Sequence, residues 1–206
     1  MFSEAEGEAA VRLARWSIEA HLRGEEDPKP SIPDSFSEKR GAFVTLNTYP
    51  ERKLRGCIGY AEPVLTLQEA VVKAATSACH DPRLPPLQVE ELDRVVVEVS
   101  LLTAPQLIEV SRPLEYTKAI VVGRDGLIIR YGGLSGLLLP QVAVEWKWDA
   151  QEFLSQACIK AGLLPDAWFE PGVEVYGFRA EVFSEVEPRG SIARKRLSAV
   201  HDSHRG

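Results

Sequence analysis

At 206 residues, 45% hydrophobic and 26% charged, the chain has ordinary globular composition and enough apolar residues to bury one substantial core or two small adjoining ones. Its apolar stretches, such as Arg94 to Ala104 and Gly126 to Ala143, are broken by Glu98, Arg130 or glycines before reaching the ~20 residues a membrane-spanning helix requires. A net charge of -6 repels nucleic acid at long range and confines any polyanion contact to the locally basic stretch from Arg189 to Arg196.

Met1 to Ala10 carries three glutamates and lacks the positive start and apolar middle of a secretory signal, so a cytoplasmic protein is expected. Cys57, Cys79 and Cys158 are odd in number and widely spread, which fits reduced thiols better than a disulfide framework or a zinc site; no metal site is expected. Asn47 is the only asparagine and Met1 the only methionine, a shortage of thermolabile types that hints at heat adaptation.

In chain order, Ser3 and Glu6 have the spacing of a capping box, and Val11, Ala14, Ile18 and Leu22 then share one face of a helix that stops at Gly24. Glu25 to Arg40, with Pro28, Pro30 and Pro33, reads as a surface connection. Ala42 to Thr48 and Lys53 to Tyr60 read as neighbouring strands across the Tyr49–Arg52 turn. Thr66 and Glu69 repeat the capping box before a helix striped by Leu67, Ala70, Val71, Ala74 and Ala78, which ends near Cys79.

Arg94 to Thr103 is β-branched and reads as a buried strand in which Glu98 is the exception. Short strands are predicted at Ala119 to Val122, Leu127 to Tyr131 and Ser135 to Leu139, separated by Gly123–Gly126 and Gly132-Gly133 turns and forming a meander in a second lobe. Asp149 opens a further helix ending at Gly162, and Val173 to Val182 gives a late strand. The pattern is α+β: a mixed or antiparallel sheet flanked by helices, with a larger and a smaller lobe. Residues 1–187 form one domain of two lobes, and 188–206 form a basic tail expected to be disordered.

The chemistry concentrates at Leu54-Arg55-Gly56-Cys57-Ile58-Gly59. Strand alternation turns Arg55, Cys57 and Gly59 to one side, so guanidinium and thiol are expected as neighbours, and a nearby cation favours the reactive thiolate. Glycines on both sides of a cysteine weaken a strand unless they admit a bulge, a close helix or a ligand at the backbone. The plain alternative is that Cys57 is a small buried hydrophobe. Glu98, set among valines, needs a partner; Arg55 or Arg83 would make it an ion pair, whereas a raised pKa would make it a general acid or base.

His80-Asp81-Pro82-Arg83 reads as a helix-end cap and turn; were His80 to approach Cys57, the pair would have the members of a cysteine-based acyl chemistry. Gly132–Gly136 lacks the lysine and helix of a phosphate loop, and Trp146, Trp148 and Trp168 read as packing anchors. His201 and His204 sit in the polar tail and read as solvated.

The hexapeptide, together with Asp81–Leu87, Val99–Leu102, Gly136–Ala143 and Trp148-Asp149 with its helix, resembles the AMMECR family over nearly the whole chain. The resemblance implies a two-lobed α+β fold with the hallmark residues near the cleft between lobes, and it implies no particular reaction or cofactor. It also implies an association with Memo-like proteins and with radical SAM enzymes as partners.

Two functions follow as expectations. In the first, the chain is an enzyme or enzyme component acting on a small molecule, with Cys57 as nucleophile, Glu98 as acid or base and Arg55 as anion clamp, the binding surface being completed by Gly56, Gly59, Asp81 and Arg83. In the second, it is a non-catalytic module whose hexapeptide supports a surface that engages a Memo-like partner.

Overall fold

The computed structural model describes residues 1–24 and 30–195. In chain order its helices are α1 (Glu4–Arg23), α2 (Leu67–Ala78), α3 (Tyr116–Ala119), α4 (Pro140–Glu145) and α5 (Ala150–Lys160). The strands are β1 (Ala42–Thr48), β2 (Leu54–Tyr60), β3 (Val95–Leu102), β4 (Gln106–Leu107), β5 (Asp125–Tyr131), β6 (Leu134–Leu138), β7 (Glu174–Glu185) and β8 (Ile192–Lys195). The fold is α+β with antiparallel strand pairing, and the chain divides into a larger unit, Met1–Thr103 with Glu181–Lys195, and a smaller one that includes Ala104–Ala180. Strand β7 thus contributes its first part to the smaller unit and its last five residues to the larger.

In the larger unit β1 lies between β2 and β3, both antiparallel to it. The two longer helices start where the capping boxes place them: the Ser3 and Thr66 hydroxyls accept from the backbone of Glu6 and Glu69, and each glutamate returns a bond to the cap. One face of the sheet, with Val44, Leu46, Val97, Val99 and Leu101, is sealed by Ala10, Leu13, Ala14 and Ile18 of α1 and the alanine-rich stripe of α2. Small side chains on α2 bring its backbone close to the sheet. A Cβ on Gly56 would lie 2.3 Å from the Ala78 carbonyl oxygen, so glycine is required there by contact with the helix end.

This unit also holds a buried ion pair that the sequence reading missed. The Arg15 guanidinium bonds both carboxylate oxygens of Glu185, and also the carbonyls of Leu92 (3.3 Å) and Val95 (2.8 Å). The second Glu185 oxygen accepts the Val97 N–H at 2.9 Å. With side-chain exposures of 8% and 3%, neither charge is solvated, and the pair is tolerated because nearly every donor and acceptor is answered.

The smaller unit packs α5, α3 and Trp168 onto one face of β5, through Leu127, Ile129, Phe153, Leu154, Ala157 and Val175. Gly132 and Gly133, at φ 53° and 87°, make the two-residue turn between β5 and β6 that the paired glycines predict.

Several expectations are corrected. Ala119 to Val122 is not a strand: α3 ends at Ala119 and a turn follows, with Asp125 accepting the Val121 N–H. Helix α4 follows the expected strand directly, in a stretch for which no element was expected, proline being well suited to its first turn. The surface connection inserts Phe36 fully into the core from a single 3-10 turn at Asp34–Ser37, while residues 25–29 lie outside the described residues. The segment after Pro188, expected as a disordered tail, forms a turn and then β8 paired to β7 as far as Lys195; the remainder, with His201 and His204, lies outside the described residues. Trp146 is not a packing anchor, being 68% exposed and stacked on Trp148.

Two stability tests follow. Glu185→Ala leaves the Arg15 guanidinium buried without its carboxylate and is expected to cost about 3–5 kcal/mol. Combining Arg15→Met with Glu185→Leu should restore most of that loss in a denaturant double-mutant cycle; additive losses would show that the pair is not coupled. Gly56→Ala drives a methyl group into the Ala78 carbonyl and is expected to lower stability by about 1–3 kcal/mol. An unchanged denaturation midpoint would show that α2 is free to retreat.

Candidate functional site

The hexapeptide forms β2. Asn47 of β1 faces Leu54 while Leu46 faces Gly56, so Arg55 is the extra residue of a β-bulge and has no partner across the strand. That local break overturns the expectation that Arg55 and Cys57 stand side by side. The Arg55 guanidinium reaches instead to Glu91, Nε and Nη2 donating to the two carboxylate oxygens at 2.7 and 2.8 Å, and to the carbonyls of Pro85 and Pro86. It fastens the Pro85–Glu91 segment to the strand and is not available as an anion clamp.

Beyond the bulge the register places Thr45 directly opposite Cys57 on one side and Glu98 on the other. Cys57, Thr45 and Glu98 therefore form a row across three strands, on the sheet face away from α1 and α2, and all three are half-buried. The Thr45 hydroxyl donates to the Cys57 sulfur at 3.2 Å. Cys57 and Glu98 themselves sit two strand spacings apart, about 10 Å at the backbone, so the carboxylate does not touch the thiol.

Glu98 has a different partner from either arginine expected. Lys195, at the end of β8, forms an ion pair with it, in the chain segment read from sequence as a disordered basic tail. The other described arginines there are likewise taken by carboxylates: Arg189 pairs with Glu19 and Asp93, and Arg194 with Glu4 and Glu181. Arg189, Arg194 and Lys195 thus pair with carboxylates of their own unit.

Asp81 and Arg83 fix the Cys57 backbone. Asp81, with its side chain 1% exposed, accepts the Cys57 N–H at 2.9 Å and receives two nitrogens of Arg83, at 2.9 and 2.7 Å. Arg83, 63% exposed, also donates to the Cys57 carbonyl at 3.3 Å. The Arg83 guanidinium first, and the Cys57 N–H after it, hold the Asp81 carboxyl far below the ordinary carboxylate range. Gly59 completes the strand with Phe43 packed over it, a Cβ there falling 2.2 Å from the ring.

The three cysteines are not equivalent. Burial pushes the thiols of Cys79 and Cys158 up to about 11, the neutral form being favoured out of water, whereas Cys57 is half-buried. His80 does not approach Cys57: its Nε2 lies 2.8 Å from Nε2 of His21 in α1. Thr45, Lys195 and Glu91 escaped the sequence reading. Only Thr45 carried a usable signal, since alternation along β1 sets Phe43, Thr45 and Asn47 on the face opposite Val44 and Leu46.

Because the folded-state pKa of Asp81 lies below its unfolded value near 3.9, its bonds contribute stability that is complete above that value and is lost as pH falls through the folded value. Asp81→Asn should therefore be less stable than the parent protein at pH 7, with the gap narrowing below about pH 4. Urea unfolding of both proteins from pH 7 to 3 checks this, and a gap that stays constant would discount the charged pairing.

The family model described as AMMECR1 matches residues 11–183. Protein MJ0810 of Methanocaldococcus jannaschii is 55% identical over 193 residues, covering 93% of this chain and 96% of that protein. Protein MK0488 of Methanopyrus kandleri is 50% identical, with 94% and 95% covered. The crystal structure of the uncharacterized protein PH0010 from Pyrococcus horikoshii is similar with a TM-score of 0.80 at 52% identity, over 95% of this chain and 99% of that one. These thermophilic archaeal sources agree with the shortage of asparagine and methionine. The chain belongs to the AMMECR1 family.

Proposed function

We propose that the chain is an enzyme or enzyme component whose reacting group is the Cys57 thiol, acting on a small molecule or modified group presented to the β2–β1–β3 face. The observation that carries this reading is the asymmetry among the cysteines. Cys57 is half-buried, touches a hydroxyl through its sulfur and has both backbone polar groups clamped by Asp81 and Arg83, while the other two thiols are buried. Clamping by a buried carboxylate is the kind of support that holds a reacting atom in place. Thr45 is the group in contact with sulfur, and Glu98 with Lys195 supplies a charged pair one strand further on.

A second reading is favoured by the engagement of Arg55 and Asp81 in bonds within the unit, which leaves neither as a ready acid, base or clamp. In that case the hexapeptide is a brace, and the protein is a binding module for a Memo-like or radical SAM-associated partner.

Titration with a thiol-directed alkylating reagent separates the two. The native protein at neutral pH is expected to label at one thiol and at all three after denaturation, with the native signal absent in Cys57→Ser. Slow native labelling, no faster than for the buried cysteines, would sink the enzymatic reading. If Cys57→Ser instead retains capture of a Memo-like protein and full thermal stability while candidate activities are unaffected, the module reading stands.

A further inference from the structure

Two arginines reach the Cys57 strand, and they differ in what they leave unused. Arg55 spends every guanidinium nitrogen, Nε and Nη2 on Glu91 and Nη1 and Nη2 on the Pro85 and Pro86 carbonyls. Arg83 spends Nε and Nη2 on Asp81, and Nη2 again on the Cys57 carbonyl, while its Nη1 has no partner among the described residues. The Arg83 side chain is 63% exposed and the Asp81 that holds it 1% exposed, so the guanidinium is fixed along one edge and open to solvent along the other. Asp81 also accepts the backbone N–H groups of Cys57 and Arg83, which share its negative charge with the guanidinium. Arg83 is held above its ordinary pKa first by Asp81 and more weakly by the charge of Cys57, so the thiol lies within its electrostatic reach.

We propose that Arg83 binds an anionic group, a carboxylate or phosphate, of the molecule whose electrophilic atom meets the Cys57 thiol. The inference rests on Cys57 being the reacting group, and it gives to Arg83 the anion-binding role that sequence assigned to Arg55. A guanidinium carries its N–H donors in a planar fork, and an oxyanion is the partner that makes strong bonds with those left over. Anchoring by a buried carboxylate has already removed rotamer freedom that an untethered surface arginine would lose on binding. The guanidinium bonds the carbonyl of the residue that bears the thiol, so the anionic group and the electrophilic atom can belong to one small molecule. With a net charge of -6 the protein repels small anions at long range, and a preference for them has to come from a local cation. Lys195, the cation further along the row, is paired with Glu98 two strand spacings from Cys57.

Iodoacetate and iodoacetamide test this on the full chain, since they deliver the same carbon with and without a carboxylate. In both reactions a bond forms from Sγ to the methylene carbon, the carbon–iodine bond breaks, iodide leaves with its electron pair and the thiol proton passes to solvent. Both reagents react with the same thiolate, so the ratio of their rates cancels any change in thiolate fraction. Followed by peptide mass spectrometry, native Cys57 is expected to show an iodoacetate-to-iodoacetamide ratio at least about tenfold above that of the denatured chain. Arg83→Gln, its folding checked by circular dichroism, is expected to return the ratio to the denatured value. In the parent protein, acetate or inorganic phosphate should slow the iodoacetate reaction relative to chloride at equal ionic strength, and the more effective of the two names the anion class. A native ratio equal to the denatured one, a ratio unchanged in Arg83→Gln, or no slowing by either anion would overturn the proposal while Cys57 stays reactive toward iodoacetamide. Failure of both reagents to label native Cys57 would overturn it together with the enzymatic reading.

Discussion

The larger unit is assembled from two stretches of chain far apart in sequence, and the buried contact between Arg15 and Glu185 is where they are joined. A carboxylate moved out of water carries a penalty of several kcal/mol that only close pairing and hydrogen bonds offset. Here the same carboxylate accepts from α1 and from the backbone of β3, so α1, β3 and the end of β7 must arrive together for the charge to be tolerated. The described residues after Glu185 follow from that arrival: β8 pairs with the end of β7, and Lys195 meets Glu98.

The pair is the inner end of a longer chain of charges. Glu19 lies 3.8 Å from Arg15 and 2.7 Å from Arg189, which reaches outward to Asp93. Isolated surface pairs contribute little, about 0–1 kcal/mol, but networks gain relative weight at high temperature because the desolvation penalty of ions falls. This arrangement suits a family with members in thermophilic archaea.

At the Cys57 strand the structure spends polar groups on placement. Asp81 is buried and fully occupied by Arg83 and the Cys57 N–H, while Arg55 is consumed by Glu91 and two proline-segment carbonyls. The groups nearest in sequence to the thiol are therefore positioning groups, and the one touching the sulfur is a threonine from the neighbouring strand. The charge further along the same row is already paired, Glu98 with Lys195.

Local patterns in the sequence determined most of the elements and the family. The capping serine and threonine, the apolar stripes of α1 and α2, the valine-rich β3, the paired glycines after β5 and the glycine-flanked Cys57 all act within a few residues, over distances where side-chain size and backbone preference decide. Tertiary structure alone decided which charges meet. One bulged residue at Arg55 shifts the hairpin register so that Thr45, and not its neighbour, faces Cys57, and redirects the arginine away from the thiol. Glu98 finds Lys195, and Arg15 finds Glu185, across 97 and 170 residues of chain. Such pairings depend on how the elements pack in space, which periodicity along a single segment does not encode.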